Sequence, residues 1–435
     1  MAEKLPYKKC LLITCSGGGG HLQATAAKAH ELHTHQPHIA VIQRDLLLDW
    51  IGKHPGSLFA GFWNFAQAKG KVSIQKILVW WQSKFDVLFR VPVFIRLFFL
   101  ILKEHIDYII DTQPLCTSAI IKAVRLAQAI QNRQIRYEKV LVDLPTDKAT
   151  HYFKPIKNLS EKERSLIHLY TTEPLLESHA SEELFWKNHT NLPLANIIYA
   201  DFPLRPTFKS FDEPLPKHKE LSIAARIPTT ETWECIKPVL SKGTIECDYC
   251  PPYLDITIPA HAHLALLMLG SRPAEKATLN YVQEYIRFKQ NHPNDLHDVL
   301  FVFCRKQHNL ASSLLGRLCQ SIISLPEFPK NLSIVPLTYQ DDAVIAPLFA
   351  RADASITRSG GITSMELLAL MEGQIMIHSE TKANAATSLE QLLKGIPAWE
   401  KGNARYLQAK KNALIVTPET FLKSVKQPDK IALFN

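Results

Sequence analysis

At 435 residues the chain is longer than a usual single domain, so two domains are expected. Its 46% hydrophobic and 21% charged content is that of an ordinary globular protein and sets aside a disordered or fibrous chain. A net charge of +9 points toward anionic partners such as nucleotides or phospholipid surfaces, and no motif for binding nucleic acid is present.

Leu11 to Thr14 is a short apolar run of buried-strand length. Gly17, Gly18, Gly19 and Gly20 then clear the turn of side chains, and a helix of good formers follows from Leu22 to Leu32. Bare backbone at a helix start lets a ligand approach unpaired N–H groups, and His21 sits where that helix begins. The bland alternative is a turn that only packs strand on helix; four glycines exceed what packing needs. The spacing fits neither the dinucleotide fingerprint nor a P-loop, since no Gly-Lys-Ser/Thr follows.

Ile39 to Gln43 reads as a second strand. From Lys69 to Glu104 the chain changes character, with seven Lys/Arg against Asp86 and Glu104 and seven aromatics, among them Trp80, Trp81 and Phe85. Basic, aromatic and amphipathic together, with Arg90 and Arg96 among the cations, this stretch suggests helices lying in an anionic membrane interface. The competing account buries the same helices on the sheet with cations at the rim. No membrane-spanning helix is expected, because Arg90, Pro92 and Arg96 interrupt the long apolar run. The apolar residues before the glycines are too few for a signal peptide.

Further strands are expected at Tyr108 to Asp111, Lys139 to Val142, Ile167 to Tyr170 and Ile197 to Tyr199, with a helix before about Arg133. Strands alternating with helices give an α/β fold with a doubly wound parallel sheet, whose ligands sit beyond the carboxyl ends of the strands. His21, Gln113, Asp143 and Asp147 all fall at such ends. Pro203 to Phe208, with Pro214 and Pro216, reads as a linker, which puts one domain at 1–208 and the other at 209–435. Residues 217–261 are a candidate insertion without a recognisable pattern. Within it Cys247 and Cys250 form the one CxxC of eight scattered cysteines. A metal there would need Cys235 and His261 or His263 to join, so none is expected and a reduced, cytoplasmic chain is the simplest reading.

A second α/β series starts at Leu264 and reaches Gly270, then continues through strands at Val299 to Phe303, Leu332 to Pro336 and Ala354 to Thr357. Arg358, Ser359, Gly360 and Gly361 form a second glycine turn, opening a helix that carries Thr363 and Glu366 in or near its first turn. A glutamate there complements the helix dipole in any protein. Behind an arginine and two glycines, ligand binding is the preferred reading.

With both turns in place, the chain resembles a GT-B glycosyltransferase, in which two Rossmann-like domains face a cleft. More narrowly it is similar to the monogalactosyldiacylglycerol synthase group, related to the enzyme that adds N-acetylglucosamine to a polyprenyl-linked peptidoglycan precursor. The similarity is carried by Ser16 to His21 with its Ala-rich helix, Thr112-Gln-Pro-Leu115, Val142-Asp-Leu-Pro-Thr146, His151-Tyr-Phe153, Phe202 to Phe208, Thr357 to Glu366 and Glu400-Lys-Gly-Asn-Ala404. The resemblance implies an inverting transfer from a nucleotide-sugar, a UDP-sugar above all, to a lipid acceptor such as diacylglycerol at a membrane surface. No cofactor and no Asp-x-Asp metal are implied. His21 would be the general base, with Asp143 the runner-up base or the group that orients it. The acceptor would meet Gly18, Gly19, Gly20 and Gln113. The donor would meet Gly270, Arg358, Ser359, Gly360, Gly361, Thr363, Glu366, Glu400 and Asn403. Trp399 stands where the family has a glutamine before Glu400, and an indole cannot accept a hydrogen bond as an amide does. Other readings are a soluble or protein acceptor, a non-enzymatic lipid- or partner-binding scaffold, and a nucleotide-sugar 2-epimerase of the same architecture.

Overall fold

The computed structural model describes residues 7–16, 19–52, 86–177, 179–209, 219–270, 273–293, 296–305, 309–382 and 388–422, with ten further positions between 54 and 84. The first sheet takes its strands in the order β2-β1-β3-β4-β5-β6, all parallel. They are β1 (Lys9–Thr14), β2 (Ala40–Asp45), β3 (Tyr108–Asp111), β4 (Arg136–Val140), β5 (Ile167–Thr171) and β6 (Ile197–Tyr199). In chain order, a small antiparallel sheet comes between the two large ones: β7 (Leu221–Arg226), β8 (Glu246–Cys250) and β9 (Tyr253–Ile258), ordered β7-β9-β8. The third sheet contains β10 (His263–Met268), β11 (Asp298–Phe303), β12 (Leu332–Leu337), β13 (Ala354–Thr357), β14 (Gln374–His378) and β15 (Leu414–Val416). Its order is β12-β11-β10-β13-β14-β15, again all parallel.

This is the α/β architecture that a GT-B resemblance implies: two six-stranded, doubly wound parallel sheets. Both faces of a parallel sheet are covered by crossover helices, so its strands read as unbroken apolar runs. β11 and β12 are buried at every position. Strand order reverses between β1 and β3 in one sheet and between β10 and β13 in the other, and each reversal opens a crevice at the carboxyl ends. The glycine turn after β1 and the turn Arg358–Gly361 after β13 lie at those two crevices.

The small antiparallel sheet occupies the stretch 217–261 whose pattern had no reading. Alternation is there once the strands are known: Ile223, Ala225, Leu254 and Ile256 face the core, while Ser222, Ala224, Asp248 and Asp255 face water. Cys247 and Cys250 are three apart on β8 and point to opposite faces, so the CxxC cannot converge. Among the described residues no three His, Cys, Asp or Glu side chains form a metal-sized group.

The basic, aromatic segment ends in a helix, Arg90–Glu104. Val93, Leu97 and Ile101 recur every four residues and are fully buried against the helix Thr117–Gln131. On the other side Val91 (61% exposed), Ile95 (44%) and Phe99 (61%) make a second apolar stripe, extended by Val87 and Leu88. One face of this helix therefore packs on the domain, and the other offers apolar side chains to solvent. Trp80, Trp81 and Phe85 lie outside the described residues. Among the described residues no helix is long and apolar enough to cross a membrane.

Candidate active site

On the N-terminal side the helix Gly19–His35 starts at the glycine turn and carries His21 in its first turn. Gly18 lies outside the described residues. Gly20 stands at the mouth of the cleft, where an added Cβ would lie 3.6 Å from Ile362 and 3.7 Å from Val142, one from each half of the chain. His21 Nδ1 is 3.0 Å from the Thr112 carbonyl oxygen at the end of β3. A carbonyl only accepts, so Nδ1 carries the proton and Nε2 of the neutral ring keeps its lone pair. Burial lowers the imidazole pKa below 6.5, against the opposing pull of Asp143 and the Thr112 hydrogen bond. At neutral pH His21 is an uncharged base.

Asp143 does not orient it. One carboxylate oxygen is 2.9 Å from His151 Nε2 and the other accepts from Asn403 Nδ2 at 2.9 Å. Burial alone would raise the Asp143 pKa, but these hydrogen bonds and the charge of His151 outweigh it and hold the carboxyl below its usual range. Gln113 also has a different job from acceptor binding. It is fully buried, and its amide accepts from Leu115 N at 2.6 Å and donates to Leu115 O at 2.8 Å, closing its own turn. Beneath it lies an ion pair with no solvent exposure, Lys139 to Asp111 at 2.7 Å, completed by the Tyr137 hydroxyl and Thr117.

The two halves meet along a seam built on small residues. At Gly361 any Cβ would overlap the Val142 carbonyl and crowd Asp143, and at Gly402 it would overlap the Thr146 hydroxyl. Asn403 clasps the seam from within: Leu144 N donates to its Oδ1 at 2.8 Å, and its Nδ2 donates to Asp143 and to the Ser359 carbonyl at 2.9 Å. Fully buried, Asn403 joins the halves and spends both of its side-chain N–H groups on the seam. The helix Ala398–Lys411 that carries it makes two more bridges, Tyr406 Oη to Glu173 O at 3.0 Å and Arg405 to Glu177 at 3.1 Å.

On the C-terminal side Gly270, two residues after β10, has φ 81° and open space around it, a conformation that favours glycine. The helix Gly361–Leu370 has Gly360 as its N-cap and no side-chain cap hydrogen bond, with Val142 and Asp143 packed against Gly361. Ser359 Oγ and Ser364 Oγ are buried there without a partner. Thr363 is half-buried beside them. Together these donors make an anion cradle. Arg358 contacts Glu400 at 3.2 Å, and burial raises the Glu400 pKa despite that arginine. Glu380 also feels Arg358, so the cation already sits among carboxylates.

No family model matches the chain, and no curated protein matches it. Solved structures with a similar course include MurG from Acinetobacter baumannii, at 13% identity and TM-score 0.47, covering 99% of this chain and 91% of that one. A UDP-glucosyltransferase from Polygonum tinctorium has 11% identity and TM-score 0.45, covering 94% and 85%. A UDP-N-acetylglucosamine 2-epimerase from Listeria monocytogenes, named as putative in its description, has 11% identity and TM-score 0.42, covering 93% and 88%.

The residue that sequence reasoning missed is Arg205, placed in the linker motif but given no role. It donates to Glu366 at 2.7 Å, pairs with Asp342, and keeps a buried Nε without a partner. Only its position between two prolines marked it out. Glu366 is thereby tied to the linker, and burial pushes its pKa up to about 7 although Arg205 opposes the rise. A carboxyl whose pKa rises from 4.5 on folding binds protons in the native state first. Its contribution to stability is therefore present at low pH and is lost as pH rises from about 4.5 to about 7. Glu366→Gln should flatten that part of the profile, so the Tm difference between variant and wild type should widen in the variant's favour from pH 4.5 to 7. A parallel pair of Tm curves would refute the assignment.

Proposed function

We propose that the chain is a glycosyltransferase that moves a sugar from a UDP-sugar to a hydroxyl acceptor. The observation that carries this reading is the meeting of two unlike crevices: a neutral histidine base on one side, and a helix N-terminus without a side-chain cap and with unpartnered serines on the other. The diphosphate of the donor rests on the turn Ser359 to Gly361, with Gly270 leaving room beside it. Arg205 and Arg358 supply positive charge, and Glu366 accepts from ribose hydroxyls through the oxygen that Arg205 leaves free. His21 Nε2 takes the proton of the acceptor hydroxyl as its oxygen bonds to the anomeric carbon. The bond from that carbon to the diphosphate oxygen breaks in the same step, UDP leaves with the electron pair, and the configuration inverts.

The acceptor in this reading is a lipid reached from the surface of an anionic membrane. Its support is the exposed stripe of Val87, Leu88, Val91, Ile95 and Phe99, bordered by the exposed cations Lys84, Arg90 and Lys103. Arg96 is not one of those free cations, because its guanidinium is turned onto the Trp50 carbonyl.

Calorimetry with UDP and a panel of UDP-sugars tests the donor half. UDP should bind, and Glu366→Ala should weaken it by about tenfold, as expected for one charged hydrogen-bond acceptor. No heat with any nucleotide would remove the transferase reading and leave a scaffold. Co-sedimentation tests the acceptor half: anionic vesicles should carry the protein down and the Val91→Asp/Phe99→Asp variant should stay in solution. Wild-type protein left in the supernatant would point to a soluble acceptor.

A further inference from the structure

We infer that Tyr152 is the positioning residue that holds His21 in a single tautomer, the one with its proton on Nδ1. The inference rests on the reading of His21 as the base, but it can be tested without any transfer reaction. Tyr152 lies in the helix Thr150–Lys157, is fully buried, and sends its hydroxyl to the carbonyl oxygen that His21 already uses. Tyr152 Oη is 3.0 Å from Thr112 O and 3.3 Å from His21 Nδ1.

The tautomer follows from counting protons in this triangle. The phenol has one proton to give, and Thr112 O at 3.0 Å lies nearer to it than Nδ1 at 3.3 Å, so the proton goes to the carbonyl. Burial holds the phenol pKa well above 10, so that proton stays in place at any ordinary pH. What Oη turns toward Nδ1 is therefore a lone pair. An unprotonated Nδ1 would face acceptor oxygens at both 3.0 and 3.3 Å, an arrangement with no hydrogen to hold it. A protonated Nδ1 is attracted by both. Tyr152 thus closes the alternative tautomer and leaves the lone pair on Nε2, which no hydrogen bond among the described residues uses.

The carbonyl is itself fixed. Thr112 N donates to Ile13 O at 3.1 Å, and the Thr112 hydroxyl shares a 2.8 Å hydrogen bond with Thr25, one turn along from His21. Around the imidazole stand Asp143 on the loop after β4, His151 beside Tyr152, and Lys139 on β4. Lys139 also lies 5.9 Å from the centre of the Tyr152 ring. Asp143 and His151 are occupied with each other at 2.9 Å, so neither competes for Nδ1.

Long-range proton–nitrogen spectra of ligand-free protein labelled with 15N-histidine decide the matter, with His21→Gln identifying the signal. Wild-type His21 should show a protonated Nδ1 and an unprotonated Nε2. In Tyr152→Phe both nitrogens should move toward the values of a tautomeric mixture. A wild-type Nε2–H tautomer, or nitrogen shifts unchanged in Tyr152→Phe, would overturn the inference. Should that variant not fold, 3-fluorotyrosine placed at position 152 keeps the ring and makes the phenol a stronger donor. His21 Nδ1 should then shift, and an unchanged signal counts against the role. In a transfer assay Tyr152→Phe should lower kcat about tenfold with the donor KM unchanged. Absence of transfer by wild type would sink the enzymatic reading while the spectra still settle the tautomer.

Discussion

His21→Ala is expected to lower the transfer rate by about a hundredfold to ten-thousandfold, the range contributed by a positioned general base. UDP affinity should stay within about twofold, because the donor cradle is built from the other half of the chain. The pH profile carries the sharper information. The active form of His21 is neutral, and burial places its pKa below 6.5, so kcat/KM should be flat near neutrality and fall as pH drops through that pKa. The variant should lose this acid limb along with the rate. A variant that keeps wild-type turnover, or a wild-type profile that rises toward acid, would show that another group takes the proton. His151 would then be the first to examine, since it is paired with Asp143 and both act electrostatically on His21.

Lys139→Met should be the most destabilising single substitution in the N-terminal half. Lys139 and Asp111 have no exposed side-chain surface and lie 2.7 Å apart, between Tyr137, Thr117 and the Gln113 turn. Removing the ammonium strands a buried carboxylate, for which measured losses run to about 3–5 kcal/mol. Asp111 also anchors Gln113 N at 3.1 Å, so the turn beside the cleft should loosen in the same variant. Pairing the change with Asp111→Asn removes the stranded charge and should recover much of the loss. Urea unfolding of the single and double variants measures both. If Lys139→Met costs less than about 1 kcal/mol, water must reach this pair in solution.

The same residues show how much was legible in advance. The glycine turns and the alternation of strands with helices could be read along the chain, and β3, β6 and β13 begin and end where the apolar runs do; the strand order, and with it the reversal points, could not. β4 was misplaced by three residues at its start because Arg136-Tyr-Glu-Lys-Val looks too charged for a central strand. Lys139 is buried there because Asp111 on the neighbouring strand neutralises it, which no local pattern reports, while Glu138 is held by Arg136 beside it and by the Tyr108 hydroxyl. Site residues followed a similar rule. Gly361 and His21 could be singled out, since backbone clearance and helix position are local properties. That Asn403, Glu366 and Gln113 are each engaged by other parts of the protein depends on contacts across the seam, the linker or a turn. The small antiparallel sheet escaped notice because its outer face mixes Ala, Cys and Tyr with acids, blurring the two-residue period.

The seam has a consequence for inheritance. Every strand of one large sheet precedes residue 200 and every strand of the other follows residue 262, so either half can be exchanged between related chains as a block without breaking a sheet. What cannot be exchanged freely is the strip where Val142, Asp143, Leu144 and Thr146 meet Gly361, Gly402 and Asn403. A new N-terminal half brings its own loop after β4, and any side chain at either glycine would meet that loop's backbone or hydroxyls. The rest of each half can therefore drift separately, while these few positions must change together or stay as they are.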